Sequence, residues 1–239
     1  MPVKDLMISL RKTVGLNISE DQAGVINAYI ELLLATNEKV NLTAIVEEGE
    51  IWRKHILDSL LIFSALDVPI GARVIDVGTG AGIPGLILKI YRPDLRITLL
   101  EAQQKKVKFL EKAVKQLGLK EVECLWGRAE DIGHHQNYRE KYNLAVARAV
   151  APLNTLVEYC LPLVQVDGFM VAYKGPAGTE EAKVAAGAIA ILGGGDTTIW
   201  QHVIPDGEGK RFLIIVKKVK VTPPSYPRRP GVPAKRPLK

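Results

Sequence analysis

The chain has 239 residues, of which 47% are hydrophobic and 24% charged, and its formal net charge is +6. This composition excludes a disordered, collagenous or coiled-coil protein, and the length suits one large domain with a smaller addition. No apolar run approaches the roughly 18 residues of a membrane span, and the start lacks the apolar core of a signal peptide. Two cysteines, Cys124 and Cys160, make a poor disulfide framework, so we expect a cytoplasmic location and buried, inert thiols.

The first 66 residues are predicted to form an N-terminal helical region. Apolar residues recur every three to four positions from Val25 to Leu34, after a Ser19-Glu-Asp-Gln sequence that is typical of a capping box. A polar connection at 37–44 separates this helix from a second helical run through Trp52 and Phe63.

From residue 72 the pattern changes to short apolar runs that alternate with amphipathic helices, which is typical of βαβ units. The predicted strands are Arg73–Val77, Leu95–Leu100, Val122–Leu125, Leu144–Ala147, Phe169–Tyr173, Thr197–Val203 and Arg211–Val219. The predicted helices are 83–91, 103–118, 152–163 and 177–191. The last two strands, joined at Pro205–Gly209, are expected to form an antiparallel hairpin. The sequence therefore predicts an α/β, Rossmann-like domain over 67–220, with five parallel strands and a C-terminal hairpin in one seven-stranded sheet.

The segment 221–239 is predicted to be a basic, proline-rich tail. Residues 217–239 contain eight Lys or Arg side chains and no acidic one, so residues 1–216 carry 24 basic against 26 acidic side chains. Six of the 14 prolines follow Thr222, which favours an extended, semi-rigid segment over a packed element. We expect this tail to bind phosphates electrostatically, through Arg228, Arg229, Lys235 and Arg236.

The most informative motif is Val74-Ile-Asp-Val-Gly-Thr-Gly-Ala-Gly-Ile-Pro-Gly85, in which a predicted strand leads into a glycine-rich turn and a helix. Gly78, Gly80 and Gly82 let the backbone approach a ligand closely. The third glycine comes one position too early for the G-x-G-x-x-G of a dinucleotide site. Asp76 would repel a pyrophosphate, whereas its charge suits S-adenosylmethionine (AdoMet), which carries an ammonium and a sulfonium. The motif therefore favours AdoMet.

Acidic residues follow the next two predicted strands. Glu101 ends the second strand about 20 residues after the loop, where a carboxylate can accept both ribose hydroxyls of either nucleoside ligand. After the third strand, Gly127-Arg-Ala-Glu-Asp131 offers Glu130 and backbone amides where an adenine edge would lie. Acids after three successive strands indicate a nucleoside-binding edge of the sheet.

Several short motifs along the chain form a set: Asn41-Leu-Thr43, Arg53-Lys-His55, Asp58-Ser-Leu60, the glycine loop with Pro84-Gly85, Arg128-Ala-Glu130, Arg148-Ala149 and Lys174-Gly175. With them the chain resembles the bacterial ribosomal RNA small subunit methyltransferase G family, also called glucose-inhibited division protein B. The resemblance implies a class I AdoMet-dependent methyltransferase that methylates guanine N7 in 16S ribosomal RNA, near the decoding site. By motif position, it implies cofactor contacts at Gly78, Ile83, Ala129, Glu130 and Arg148.

The residues are compatible with N7 as the methyl acceptor. A guanine N7 has a free lone pair and no proton, so the enzyme has only to position the base and stabilise the developing cation. Arg148-Ala-Val-Ala-Pro152 stands where amine methyltransferases carry an Asn/Asp-Pro-Pro-Tyr loop, and neither cysteine is placed as a nucleophile for pyrimidine C5. We expect positioning roles for Arg148, His55 and Asp58, and RNA contacts at Asn41, Thr43 and Lys174.

The remaining expectations concern stacking, metals and partners. Trp52 and Tyr173 are candidates for stacking on the target base, and the four histidines and two cysteines form no metal-site pattern. The expected partner is 16S ribosomal RNA or the small ribosomal subunit, bound by a monomer, and removal of residues 217–239 should weaken RNA binding but not AdoMet binding.

Alternative functions stay open. One is a methyltransferase of the same fold that acts on a small molecule or a protein, and another is a non-catalytic RNA-binding protein that retains the fold. An NAD-dependent oxidoreductase is disfavoured by the glycine spacing.

Overall fold

The computed structural model describes residues 7, 8, 11, 15–203 and 209–239. Part of the predicted N-terminal region and residues 204–208 of the predicted hairpin turn lie outside the described residues. The helices are α1 (Glu20–Val40), α2 (Glu48–Ile51), a π-helical turn (Trp52–Leu57), α3 (Asp58–Leu60), α4 (Ile62–Ala65), α5 (Gly85–Tyr91), α6 (Gln104–Gln116), α7 (Ala129–Ile132), α8 (Leu153–Cys160), a 3₁₀ turn (Leu161–Leu163), α9 (Gly178–Val184), α10 (Ala186–Ile191) and α11 (Val232–Lys235). Within the described ranges, no helix is long and apolar enough to span a membrane.

One sheet of seven strands organises the fold. The strands are β1 (Arg73–Val77), β2 (Arg96–Glu101), β3 (Val122–Trp126), β4 (Tyr142–Arg148), β5 (Val164–Lys174), β6 (Gly194–Val203) and β7 (Lys210–Lys218). Their order is β3-β2-β1-β4-β5-β7-β6, in which the first five are parallel and β7 is antiparallel to both neighbours. The predicted α/β sheet with a C-terminal hairpin is confirmed.

Two predicted elements differ most from those of the structure, and most of the other strand and helix bounds shift by only a few residues. Strand β5 begins at Val164 rather than Phe169, and its pairing with β4 shifts register between Tyr142 and Leu144. The predicted helix 177–191 is two shorter helices, α9 and α10, that meet at Ala185.

Helices cover both faces of the sheet, so each central strand contributes to two hydrophobic cores. Val74 of β1 belongs to the core shared with α1, α5 and α6, whereas the next residue, Ile75, belongs to the core shared with α8, α9 and α10. Burial on both faces explains why the strands are nearly continuous apolar runs. Tyr29 and Leu60, which precede the predicted domain boundary at residue 66, also lie in the first core. The helical region before this boundary and the sheet domain after it therefore share one packed core.

Helix α1 is fixed at its start and supports the glycine loop. The predicted capping box is confirmed, since the Ser19 side chain accepts a hydrogen bond from Gln22 N and the Gln22 side chain accepts one from Ser19 N. Gln22 Nε2 also donates to Tyr91 O at 2.8 Å. Tyr29 is fully buried and donates from its hydroxyl to Ala81 O of the glycine loop at 2.8 Å. The N-terminal helix therefore holds the loop that the sequence assigns to the cofactor.

The prediction of an extended, unpacked tail is wrong. The segment after β7 returns across α8, where Pro227 and Pro233 are buried. Thr155 Oγ1 of α8 donates to Pro233 O at 3.3 Å. Prolines exclude a regular hydrogen-bond ladder because they lack an N–H, but their rings bury apolar surface and their carbonyls still accept hydrogen bonds. The same composition that favoured an extended chain is thus compatible with packing against the body.

Candidate active site

Two clefts lie side by side at the carboxyl ends of the parallel strands. The strand order reverses between β1 and β4, and open α/β sheets bind ligands at such a point. The first cleft has a volume of about 340 Å³ and the second about 370 Å³. Ala149, just after β4, lines both clefts and has a φ of 56°, which is uncommon for a residue other than glycine. The chain bends at this residue, which borders both clefts.

The first cleft contains five of the residues that the sequence assigns to the cofactor: Gly78, Gly80, Glu101, Ala129 and Glu130. Gly80 has a φ of +59°, and no atom lies within 4 Å of the place where a Cβ would stand. The backbone of the loop is therefore open to a ligand at this residue.

Glu101 ends β2 and fixes the turn as well as lining the first cleft. Its Oε2 accepts a hydrogen bond from Gly80 N at 3.0 Å, and its Oε1 accepts one from Gln103 N at 2.8 Å. A carboxylate held in this way has lone pairs left for two ribose hydroxyls. Leu100 and Tyr159 add apolar surface to the same cleft. A carboxylate, an open glycine backbone and apolar walls fit the nucleoside part of AdoMet.

Asp76 lies behind the glycine loop. It is fully buried, and its Oδ2 accepts hydrogen bonds from Thr79 Oγ1 at 2.6 Å and from Gly85 N at 2.8 Å. Burial raises the pKa of the Asp76 carboxyl to about 6, against the opposing effect of these two hydrogen bonds. Asp76 thus ties the strand end to the start of α5, and its direct contact with the cofactor stays a prediction.

Gly82 and Ile83 lie outside the lining of the first cleft. A Cβ on Gly82 would stand 2.4 Å from Leu86 Cδ1, so this glycine allows the loop to approach α5. Ile83 is 6% exposed and packs in the first hydrophobic core. These two residues support the loop, and a direct contact of either with the cofactor stays a prediction.

Arg148, at the end of β4, is the centre of a polar network in the second cleft. Its Nη1 donates to Lys54 O at 2.8 Å and to Asp58 Oδ2 at 3.2 Å, and its Nη2 donates to His55 Nδ1 at 2.9 Å. A guanidinium only donates, so His55 Nδ1 accepts, and the proton on Nε2 is donated to Thr43 Oγ1 at 2.9 Å. Burial and the charge of Arg148 lower the pKa of His55 to about 4, so this ring is neutral at pH 7.

Asp58 is the acidic member of this network. Its side chain is 9% exposed, and its Oδ1 lies 3.9 Å from Arg211 Nε on β7. Burial raises the pKa of the Asp58 carboxyl, and the charges of Arg148 and Arg211 oppose that effect. The structure thus brings together His55, Asp58 and Arg148, the three residues predicted to position the base.

The residues predicted to contact RNA have different surroundings. Lys174 lines the second cleft, but its Nζ donates to Ala151 O at 2.7 Å and forms an ion pair with Glu181 at 2.7 Å. Thr43 is bound to His55 in the network described above. Asn41 is exposed and ends α1 with a φ of 52°. An RNA contact for each of these residues stays a prediction.

Burial bears on the expectations for the aromatic residues and the thiols. Trp52 is 1% exposed and belongs to the core, so the expectation that it stacks on a base is wrong. Tyr173 borders the second cleft but donates its hydroxyl to Ser59 O at 2.8 Å. Burial raises the pKa of both thiols, to about 11 for the half-buried Cys124. Among the described residues, no group of three or more His, Cys, Asp or Glu side chains could hold a metal ion.

Sequence reasoning missed three residues that line or support the two clefts. Arg211 reaches Asp58 from a strand about 150 residues away in the chain, which no local pattern could indicate. Asn37 shapes the polar connection, because its Oδ1 accepts from the backbone N of Leu42 and its Nδ2 donates to Thr43 O at 2.9 Å. An Asn beside a helix end is a known turn signal, so this role could have been found. The third, Tyr29, has the spacing of an ordinary core residue.

Solved structures support the same interpretation of the fold. The chain is similar to a SAM-dependent methyltransferase from Aquifex aeolicus, with a TM-score of 0.53 and 15% identity over 73% of this chain and 95% of that one. It is also similar to a SAM-dependent O-methyltransferase from Thermotoga maritima, with a TM-score of 0.50 and 16% identity over 80% of this chain and 73% of that one. The chain therefore has the fold of class I AdoMet-dependent methyltransferases, with its first cleft at the ligand-binding edge of the sheet.

Sequence comparison identifies the family to which the chain belongs. The sequence model of the rRNA small subunit methyltransferase G family matches residues 22–205. A protein of that name from Moorella thermoacetica is 60% identical over 233 residues, which are 98% of this chain and 97% of the relative. One from Desulforamulus reducens is 43% identical over 239 residues, which are 99% of this chain and all of the relative. The chain belongs to the rRNA small subunit methyltransferase G family.

Proposed function

We propose that this chain transfers a methyl group from AdoMet to N7 of a guanine in the 16S RNA of the small ribosomal subunit. The observation that carries the proposal is the pair of clefts that meet at Ala149 in a chain of this family. One cleft suits a nucleoside cofactor, and the adjoining cleft can hold the acceptor base. The relatives' shared name, ribosomal RNA small subunit methyltransferase G, supports RNA as the substrate.

The second cleft supports an acceptor that needs no general base. Both nitrogens of His55 are engaged, one by Arg148 and one by Thr43, and the Asp58 carboxylate faces two arginines. None of these groups is arranged to take a proton from a substrate. Guanine N7 attacks with a lone pair that carries no proton, so this arrangement suffices for N7.

In this reaction the chain positions the cofactor and the acceptor base and excludes water from them. When bound, AdoMet supplies an electrophilic methyl group on its sulfonium. Glu101 holds the ribose in the first cleft, and the rigid network of Arg148, His55 and Asp58 shapes the second. Ala149 stands between the clefts, where acceptor and donor must meet. In-line transfer then requires only that the two ligands be held in the correct orientation.

Phosphate contacts of the RNA are assigned to exposed basic residues. Arg229, Lys235 and Arg236 are exposed on the C-terminal segment and stay candidates for such contacts. Arg228 has another partner, described below. A protein that acts on the small ribosomal subunit works in the cytoplasm, and we propose that it does so as a monomer.

The proposal is tested by transfer of labelled methyl from AdoMet to 16S RNA, offered naked and as small-subunit particles from cells that lack this modification. Digestion to nucleosides is expected to give label in 7-methylguanosine. Label in another nucleoside would refute N7 as the acceptor. Binding of AdoMet without any labelled RNA would favour a small-molecule or protein substrate.

A further inference from the structure

The C-terminal segment 222–239 is anchored to the body beside the first cleft. Arg228 donates from Nε and Nη2 to the Glu158 carboxylate at 2.9 and 2.6 Å, and its backbone N donates to the same carboxylate at 2.7 Å. Glu158 lies on α8 and its side chain is 0% exposed. A buried carboxylate is costly to leave without its partner, and a forked guanidinium fixes the geometry of the pair. This ion pair therefore holds the segment in one place.

Further contacts hold the segment on the approach to Arg228. Arg139 Nη1 donates to Tyr226 O at 2.8 Å, and His134 Nε2 donates to Pro227 O at 2.6 Å. The body thus supplies donors to the carbonyls of a segment whose prolines have no N–H of their own.

Beyond Arg228 the segment reaches the first cleft at two points. Gly231 N donates to Glu130 Oε1 at 3.0 Å, although these residues are 101 positions apart in the chain. Glu130 is 5% exposed and lines the first cleft. Ala234, on α11, is exposed and lines the same cleft. Part of the cleft wall is therefore built from the C-terminal segment.

We propose that the C-terminal segment 222–239 is a structural wall of the AdoMet site. Arg228 and Glu158 hold the segment, Gly231 orients the Glu130 carboxylate, and Ala234 borders the cofactor. This inference rests on the proposed function, because it takes AdoMet to be the ligand of the first cleft. It makes Arg228 a positioning residue for cofactor binding, in place of the RNA contact that the sequence predicts. Damage to the segment should weaken AdoMet binding, in contrast to the expectation from the sequence that AdoMet binding is unaffected.

The first test compares two neighbouring exposed residues of α11. Ala234→Trp places a large ring in the first cleft, whereas Lys235→Trp places the same ring on a residue outside its lining. Calorimetric titration with AdoMet is expected to show binding weaker by about tenfold or more for A234W. Affinity for K235W should stay within about twofold of wild type, as for an ordinary surface substitution. Wild-type affinity in A234W would overturn the proposal.

The second test releases the segment. Arg228→Ala removes the partner of Glu158, and Arg229→Ala removes an adjacent, exposed arginine as the matched control. R228A is expected to weaken AdoMet binding by about tenfold and to accelerate hydrogen exchange of the Gly231 amide, and R229A is expected to do neither. If the R228A protein does not fold, the A234W protein still tests the proposal, because residue 234 is exposed and its substitution should leave the fold intact.

These outcomes separate the two proposals. Wild-type protein that binds AdoMet, together with R228A and A234W proteins that bind it equally well, would refute only the role of the segment. Wild-type protein that does not bind AdoMet would refute the proposed function itself.

Discussion

Replacement of Arg148 with alanine tests the network of the second cleft. The change removes three hydrogen bonds, to Lys54 O, Asp58 Oδ2 and His55 Nδ1, and leaves the Asp58 carboxylate buried with Arg211 at 3.9 Å as its remaining ion-pair partner. Removal of one partner of a buried ion pair costs about 3–5 kcal/mol. Arg211 compensates in part, so we expect a loss near the lower limit, about 3 kcal/mol.

Thermal unfolding gives the first readout for this variant. An unfolding entropy of about 2 cal/mol/K per residue is about 0.5 kcal/mol/K for 239 residues, so a loss of about 3 kcal/mol lowers Tm by about 6 °C. Arg148→Lys is expected to recover only part of this loss, because an ammonium cannot make the forked contacts. A double-mutant cycle with Asp58→Ala should show a coupling free energy above about 1 kcal/mol.

AdoMet affinity and the rate of methyl transfer give the second readout for this variant. The resemblance implies a cofactor contact at Arg148, but Arg148 lines the second cleft and not the first. We therefore expect AdoMet affinity to be unchanged in Arg148→Ala. Methyl transfer to RNA should fall by about a hundredfold, as expected when an acceptor is misplaced by about 1 Å. Additive effects of the Arg148 and Asp58 substitutions on Tm, or a loss of AdoMet binding equal to the loss of transfer, would refute this account of the two clefts.

Three further predictions concern other buried polar groups. Tyr29→Phe leaves Ala81 O without its donor, which should lower the free energy of unfolding by about 1–3 kcal/mol and weaken AdoMet binding. An unchanged free energy of unfolding and an unchanged AdoMet affinity, both measured by calorimetry, would contradict support of the loop by α1. The pKa of His55 is about 4 in the folded chain, below its ordinary 6.5, so the unfolded chain binds more protons between these two pH values. The free energy of unfolding should therefore decrease as pH falls from 6.5 to 4. An NMR titration that gave a pKa above 6 for the His55 ring would contradict a neutral ring in this network. Burial lowers the pKa of Lys218 from 10.5 to about 8, so its contribution to stability rises as pH increases from about 8 to 10.5, and Lys218→Met should flatten the unfolding free energy measured over that range.

Local patterns in the sequence predicted the elements of this fold well because each pattern has a local physical cause. Strand β1 is buried on both faces from Val74 onward, and the loop with Gly80 needs a backbone conformation that side chains disfavour. Ser19 and Gln22 fix a helix start through contacts three residues apart. Such features depend on neighbours in the chain and are readable without a structure.

The contents of the site were only partly predictable, because long-range contacts decide them. His55, Asp58 and Arg148 are in contact in the structure, and their role in positioning the base stays a prediction. The partner of Asp58 on β7 carries no local signal. Charge composition indicated an RNA-binding tail, whereas the buried Glu158 carboxylate on α8 engages Arg228. A basic side chain has the same sequence signature whether its partner is a phosphate or a carboxylate of its own chain.

The most direct test of the central claim is chemical mapping of the methylated nucleotide in cells. Small-subunit RNA from a bacterium that lacks this modification is compared after expression of the wild-type chain or of its Arg148→Ala variant. Reduction and strand scission at 7-methylguanosine should yield one new cleavage in 16S RNA with the wild-type chain and a strongly reduced one with the variant. Equal cleavage with both chains, or none with the wild-type chain while it binds AdoMet, would contradict methyl transfer to guanine N7 from the two adjoining clefts.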